Sequence, residues 1–267
     1  MFYPLNSPLG RFGVVTHREA DDECIASIPV GGLVNPLTGA PTIAPLAMLV
    51  DHTCGLANHR RRHDGEWTVS SELSLEVRPD ATDVVAAAPD EPVVATARPF
   101  GERGRVGLAL CELTHRDVPL AAATVRSFFI DVPDDLADFP DGPTGPPPPG
   151  SLADRMRVEV AEAGGATAVL LQRPDPVLNN LLGVVHGGVS AIGLELVASA
   201  AVNAGRAGPP LRTGSLRVNY VRQFRVGDES RYEATASHAG RSTGVAEARA
   251  IGADGRIAIT ARLTAYR

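Results

Sequence analysis

The chain has no charge-free apolar run of about 18 residues, the length a membrane-spanning helix needs, so no membrane span is expected. Its first residues lack a basic region followed by an apolar stretch and a small-residue cleavage site, so a cytoplasmic protein is the expectation. Cysteine is scarce: Cys24, Cys54 and Cys111 are odd in number and widely spaced, fitting neither a disulfide framework nor a paired metal motif. No dense basic stripe offsets the formal net charge of −6, so nucleic acid is not an expected partner. The one arginine triplet, Arg60 to Arg62, fits a solvated helix end as well as a phosphate contact. There is no Gly-x-Ser-x-Gly elbow for a serine hydrolase and no glycine fingerprint for a dinucleotide. His52 and His59 lie near Asp51 without further ligands at metal spacing, so no metal is expected.

What is present is an ordinary globular composition, 44% apolar and 21% charged over 267 residues, enough for one large domain or two small ones. The most informative stretch is residues 179–205. Asn180, His186, Gly187 and Gly188 precede an apolar run, Val189 to Val202, interrupted by Glu195, Ser190 and Ser199. Its alanines and lack of proline favour a buried helix, whose first turn offers unpaired N–H groups to a developing oxyanion. A carboxylate inside such a helix is costly unless something uses or pairs it. A tight glycine turn beside a satisfied histidine, with Glu195 paired to an arginine, explains the same residues.

Residues 1–20 read as a lead-in, Cys24 to Val30 as a strand, and Ile43 to Asn58 as a helix containing Asp51. Leu73, Leu75 and Val77 alternate with polar residues, the period of a half-solvated strand. Further strands fit 92–99, 105–115 and 120–130. Residues 131–150 crowd proline, glycine and aspartate together and favour an extended spacer. This divides the chain into a unit at 1–130, a linker at 131–150 and a unit at 151–267.

The second half repeats the first. Strands fit Val158–Ala161 and Thr167–Gln172, then come the central helix, an alternating strand around Leu216 to Tyr220, and strands at 229–238, 242–252 and 256–266. Asp51 and Glu195 are 144 residues apart, as are Arg78 and Arg222, and Gly104-Arg105 and Gly240-Arg241 fill similar turns. Together these spacings indicate an internal duplication. A half with one helix and about five strands leaves a sheet edge unpaired, and two halves can join to bury it.

The run from Asn180 to Gly188, with an acid nine residues after His186, resembles the active-site region of hotdog-fold acyl-coenzyme A thioesterases, more narrowly the phenylacetate-pathway type. The stretches Thr213 to Arg222 and His238 to Ser242 resemble that family's following strand and hairpin, and the first half matches more loosely. The resemblance implies an α+β double hotdog: two units, each a long antiparallel sheet wrapped around a central helix, with active sites between units. It implies one site in which Gly187 N–H polarises the thioester carbonyl, Asn180 and His186 shape the pocket, and Asp51 supplies the carboxylate. A second would pair Glu195 and Ser199 with the Thr42–Ile43 end of the first helix. There Thr42, Ile43 and Ala44 replace the histidine and two glycines, and the fixed interval sets Pro36 opposite Asn180, removing an amide. Thr213 would hold the water or the carboxylate. Gly104, Arg105, Gly188, Arg241 and Ser242 are the candidates for contacting coenzyme A, which enters as part of the substrate and not as a resident cofactor.

The expected reaction is hydrolysis of an acyl-CoA thioester by carboxylate-assisted attack, with whole chains able to self-associate. The alternatives are a non-catalytic acyl-CoA or acyl-chain binding protein and an assembly module. A hydratase ranks lower, because Asp175 is eleven residues before His186, too far for its Asp–His pair.

Overall fold

The structure is a computed structural model that describes residues 1–161 and 166–267. The first half runs α1 (Pro8–Phe12), β1 (Val15–Glu19), β2 (Cys24–Ile28), α2 (Leu46–His59), β3 (Glu66–Val77), α3 (Ala81–Ala86), β4 (Val93–Phe100), β5 (Val106–His115) and β6 (Val118–Asp131). The second runs α4 (Leu152–Met156), β7 (Val158–Val160), β8 (Thr167–Gln172), α5 (Gly187–Asn203), β9 (Arg212–Tyr220), β10 (Arg231–Ala239), β11 (Thr243–Ile251) and β12 (Ile257–Tyr266).

All twelve strands form one sheet in the order β1-β2-β4-β5-β6-β3-β9-β12-β11-β10-β8-β7, every neighbouring pair antiparallel. Read outward from the centre, the two halves have the same order. Each half wraps its own long helix, α2 against β2 to β6 and α5 against β8 to β12, and the two helices also touch each other. This is the double hotdog arrangement. Almost every side chain of α5 is buried, as expected of a helix that is apolar all round.

The duplication extends to fine detail. Ser7 caps α1 and Ser151 caps α4, and each helix ends on a left-handed residue, Gly13 and Arg157. These pairs keep the interval of 144 residues. At the central seam Leu73 pairs with Val218 and Leu75 with Leu216. An interval of 143 maps each of these pairs onto the other, so the pseudo-twofold passes through the Ser74–Arg217 pair. By that register Arg78 matches Val221, so its 144-residue spacing from Arg222 is one residue out of step.

Three sequence expectations change. Residues 1–20 are not a bare lead-in, because α1 and β1 lie there and Phe12 and Val14 enter the core. The short helix α3 was not foreseen; its residues carry no long periodic signal. Helix α2 starts at Leu46, one residue past Pro45, in keeping with the bias of a residue before proline, here Ala44, away from helical dihedrals. The proline-rich segment after β6 also makes specific contacts: Leu5 N–H donates to Pro143 O at 2.8 Å and Ala137 N–H to Leu181 O at 2.9 Å. No helix among the described residues is long and apolar enough to cross a membrane.

Candidate active site

Asp51, in the second turn of α2, is 7% exposed. Its Oδ1 accepts a hydrogen bond from Ser70 Oγ of β3 at 2.8 Å. Its Oδ2 faces the other unit: a Cβ built on Gly187, the first residue of α5, would lie 2.9 Å from that oxygen. Glycine is therefore required where α5 begins, because any side chain would displace the carboxylate. The acid of one half and the helix start of the other meet here, two residues that are far apart in sequence.

His186 is the N-cap of α5, and its Nδ1 accepts the Gly188 N–H at 3.0 Å. Nδ1 also stands 3.6 Å from Asp51 Oδ2. An acceptor nitrogen cannot donate to the carboxylate, so the ring is neutral with its proton on Nε2, and the contact is not an ion pair. Burial lowers the His186 pKa while the Asp51 charge opposes that shift. Gly188, expected to touch coenzyme A, is instead buried at the helix crossing, where a Cβ would come 2.7 Å from Met48 Cα. With the Gly188 amide used by the cap, the Gly187 N–H is left without a protein acceptor among the described residues. Tyr220 Oη donates to Gly187 O at 3.2 Å and secures the same turn. His52, next to Asp51, lies within hydrogen-bond distance of Thr16 Oγ1 at 2.9 Å, and burial takes its pKa down to about 3.

Glu195 occupies the corresponding place in α5 and is 5% exposed. Thr213 of β9 donates to its Oε1, as Ser70 donates to Asp51. Its Oε2 is buried with no partner, and burial raises its pKa to about 7, the Thr213 and Ser199 hydroxyls pulling the other way. Thr42 makes the same side-chain turn as His186, its Oγ1 accepting the Ala44 N–H at 3.1 Å, two residues on, but α2 begins only at Leu46 behind Pro45, which makes no side-chain cap. Ile43 thus stands where Gly187 stands in the first site.

The expected loss of the amide on this side is overturned. Asn35, 3% exposed, donates through Nδ2 to Leu196 O at 2.9 Å and to Ser199 Oγ at 3.1 Å. Asn35 Oδ1 accepts Leu37 N–H and Asn180 Oδ1 accepts Leu182 N–H, both at 2.9 Å, so the two asparagines turn their loops in the same way. The loop from Asn35 to Gly39 has one more residue than that from Asn180 to Gly183, and a fixed interval therefore pointed at Pro36. Ser70, Tyr220 and Asn35 were not among the expected site residues, although Tyr220 was read in its strand and Asn35 with Pro36 as a turn. Ser70 had a signal, because Thr213 lies 143 residues further on.

The other residues expected to meet coenzyme A lie on exposed turns. Gly104 and Arg105 are exposed between β4 and β5, whose Gly101 O accepts from Arg61 Nη2 at 2.9 Å at the far end of α2. Arg241 and Ser242 are exposed between β10 and β11. Arg241 lines an open cleft of about 430 Å³ with Arg206 and Arg267, at the far end of α5. A second cleft is lined by Glu233 and Arg249, and neither cleft is lined by Asp51 or Glu195.

Comparison with known proteins agrees with this architecture. The family profile of the thioesterase superfamily matches residues 182–259. An acyl-CoA thioesterase II from Mycobacterium marinum is similar at 13% identity, with 97% of each chain covered and a TM-score of 0.60. A conserved protein of unknown function with a hotdog fold, from Alicyclobacillus acidocaldarius, matches at 14% identity, again with 97% of each chain covered, and a TM-score of 0.61. An acyl-ACP thioesterase from Bacteroides thetaiotaomicron matches at 12% identity over 93% of this chain and 99% of its own, with a TM-score of 0.53. No curated protein matches. The chain has the double hotdog fold, and its residues 182–259 match the thioesterase superfamily profile.

Proposed function

We propose that the chain is an acyl-CoA thioesterase working at the Asp51 site. The observation that carries this reading is the placement of a buried carboxylate, held by Ser70, directly against the first residue of α5. The thioester carbonyl oxygen would sit on the Gly187 N–H, helped by the helix dipole. Asp51 would take a proton from a water as it attacks the carbonyl carbon, or attack that carbon itself. Either route gives a tetrahedral oxyanion at Gly187, which collapses to expel coenzyme A as its thiolate; direct attack leaves an acyl anhydride on Asp51, which a water then hydrolyses to the free acid. A helix-end N–H in a buried site is well suited to this, since one such donor is worth about 3 kcal/mol in the transition state. His186 keeps the helix start in shape by capping Gly188, and Ser70 orients the acid.

The Glu195 side is the weaker candidate. Its oxyanion donor would be the N–H of Ile43, whose β-branched side chain replaces a required glycine. Asn35 also bridges to Ser199 next to the acid. The test is hydrolysis of a panel of acyl-CoA thioesters by the parent, Asp51→Asn and Glu195→Gln. Asp51→Asn should lose about 10²–10⁴-fold in kcat/KM, with Glu195→Gln retaining turnover. A parent inert on every thioester, yet binding acyl-CoA, would leave the non-catalytic binding reading in its place.

A further inference from the structure

The glycines of the long helices can be sorted by what a side chain would strike. At Gly187 it strikes Asp51, at Gly188 it strikes Met48, and at Gly193 a Cβ would lie 2.6 Å from the Tyr232 ring. Gly55 is different. It lies inside α2, one turn beyond Asp51 on the same face, half-buried, and a Cβ there would meet nothing within 4 Å. Glycine inside a helix is unfavourable relative to alanine, and no turn or close packing at this position calls for it. The space beside it is open in the protein alone.

The matching position in the other half shows what is missing. There Ser199 fills the place one turn beyond Glu195, and the Asn35 amide closes onto it at 3.1 Å. On the Asp51 side the equivalent asparagine, Asn180 of the second half, accepts the N–H groups of Leu182 and Val184 through Oδ1. Its Nδ2 donates to no protein group among the described residues. Asn35 is thus latched across the units and the Asn180 amide makes no such latch, and Gly55 occupies the position that Ser199 occupies in the other helix. The half-buried face of α2 then continues past Leu56 to His59, which bonds Thr68 at 2.8 Å and packs against Trp67 with ring centroids 4.8 Å apart. Burial, with Arg62 and Arg60 acting in the same direction, lowers the His59 pKa to about 4, leaving that end of the strip uncharged at neutral pH. Beside it β3 runs on without β9, whose pairing stops at Glu72–Asn219.

We propose that the Gly55 face of α2 is the acyl subsite of the Asp51 centre. The acyl chain lies over Gly55 and stops at His59 and Trp67, about 12 Å along the helix from Asp51, while the Asn180 amide donates to an oxygen of the bound thioester. This rests on the thioesterase reading and adds that the substrate is an acyl group of short or medium reach. The test compares the parent with Gly55→Ala and Gly55→Leu in melting temperature and in kcat/KM over a straight-chain acyl-CoA series from acetyl to palmitoyl. Gly55→Ala is expected to raise Tm by about 2–4 °C. Both variants should lose kcat/KM in proportion to acyl length, with losses at least about tenfold larger for the longer accepted chains than for acetyl. A profile that keeps its shape in both variants overturns the proposal, and the alanine variant keeps that outcome open where leucine fails to fold. If the parent hydrolyses none of the series, calorimetric binding of the same thioesters separates the two ideas. Weaker binding of the longer chains by the variants, with coenzyme A itself bound equally, upholds the subsite without hydrolysis. Equal binding of all of them by parent and variants sinks it.

Discussion

The two acids of this molecule sit in matching places, yet only Asp51 stands against a glycine at the start of the opposite helix. Asp51 has one oxygen held by Ser70 and the other against a bare glycine backbone. Glu195 has the same hydroxyl support from Thr213, but its second oxygen is buried without a partner and faces a half in which isoleucine stands for glycine. Duplication copied the frame, including the side-chain turns at Thr42 and His186, and the halves then diverged at single positions. A shared fold therefore says little about which copy works; the positions of Gly187, Gly55 and Asn35 say more.

The largest effect is expected where that asymmetry is erased. Gly187→Ala puts a methyl 2.9 Å from Asp51 Oδ2, so either the carboxylate leaves its place or α5 shifts away from it. Both outcomes spoil the alignment of the oxyanion donor, and kcat should fall about 10²–10³-fold, the typical cost of losing one such donor. Steady-state kinetics on the best thioester of the panel would show it. A variant that retains parental kcat with an intact fold would mean that the Gly187 turn is not where the carbonyl binds.

How much of this was legible beforehand follows from the same residues. The two-unit sheet and the placing of Asp51 opposite Gly187 were implied only by the resemblance to hotdog thioesterases. The duplication could be read, because hydrophobic period and motif spacing are local features of sequence. Asn35 could not, because one extra residue in its loop broke the fixed interval, and an asparagine followed by proline reads as a plain turn. Ser70 was hidden by the irregular register between Ser70 and Glu72, which changes which residues of β3 face the helix. Gly188 was misread because a glycine next to a motif looks functional, and only coordinates show Met48 pressed against it. Close approach of two helices leaves no periodic trace in sequence.

A smaller effect should separate the acids by pH. Burial raises Glu195 from 4.5 to about 7. Across that window the folded protein holds a proton that the unfolded chain has released, so this group's contribution to stability is present at low pH and is lost as pH rises through 7. The magnitude is of order 3 kcal/mol at most. Glu195→Gln should therefore match the parent near pH 4.5 and exceed it in unfolding free energy at pH 8.5, as read from denaturant titrations at both values. A difference of equal size at the two pH values would show that Glu195 does not hold its proton in the folded state.

The smallest effect tests the latch itself. Asn35→Ala removes two buried cross-unit hydrogen bonds, to Leu196 O and Ser199 Oγ, and should cost about 1–3 kcal/mol in unfolding free energy. Asn180→Ala loses only turn bonds to Leu182 and Val184 in a half-buried loop. Its stability cost should be nearer to about 0.5 kcal/mol, with the greater consequence a raised KM for the thioester. Two asparagines built into the same turn would then act differently, one joining the halves and the other meeting the ligand. If both variants lose stability equally and neither changes KM, the asparagines are equivalent turn formers, and the open face beside Gly55 has no donor pointing at it.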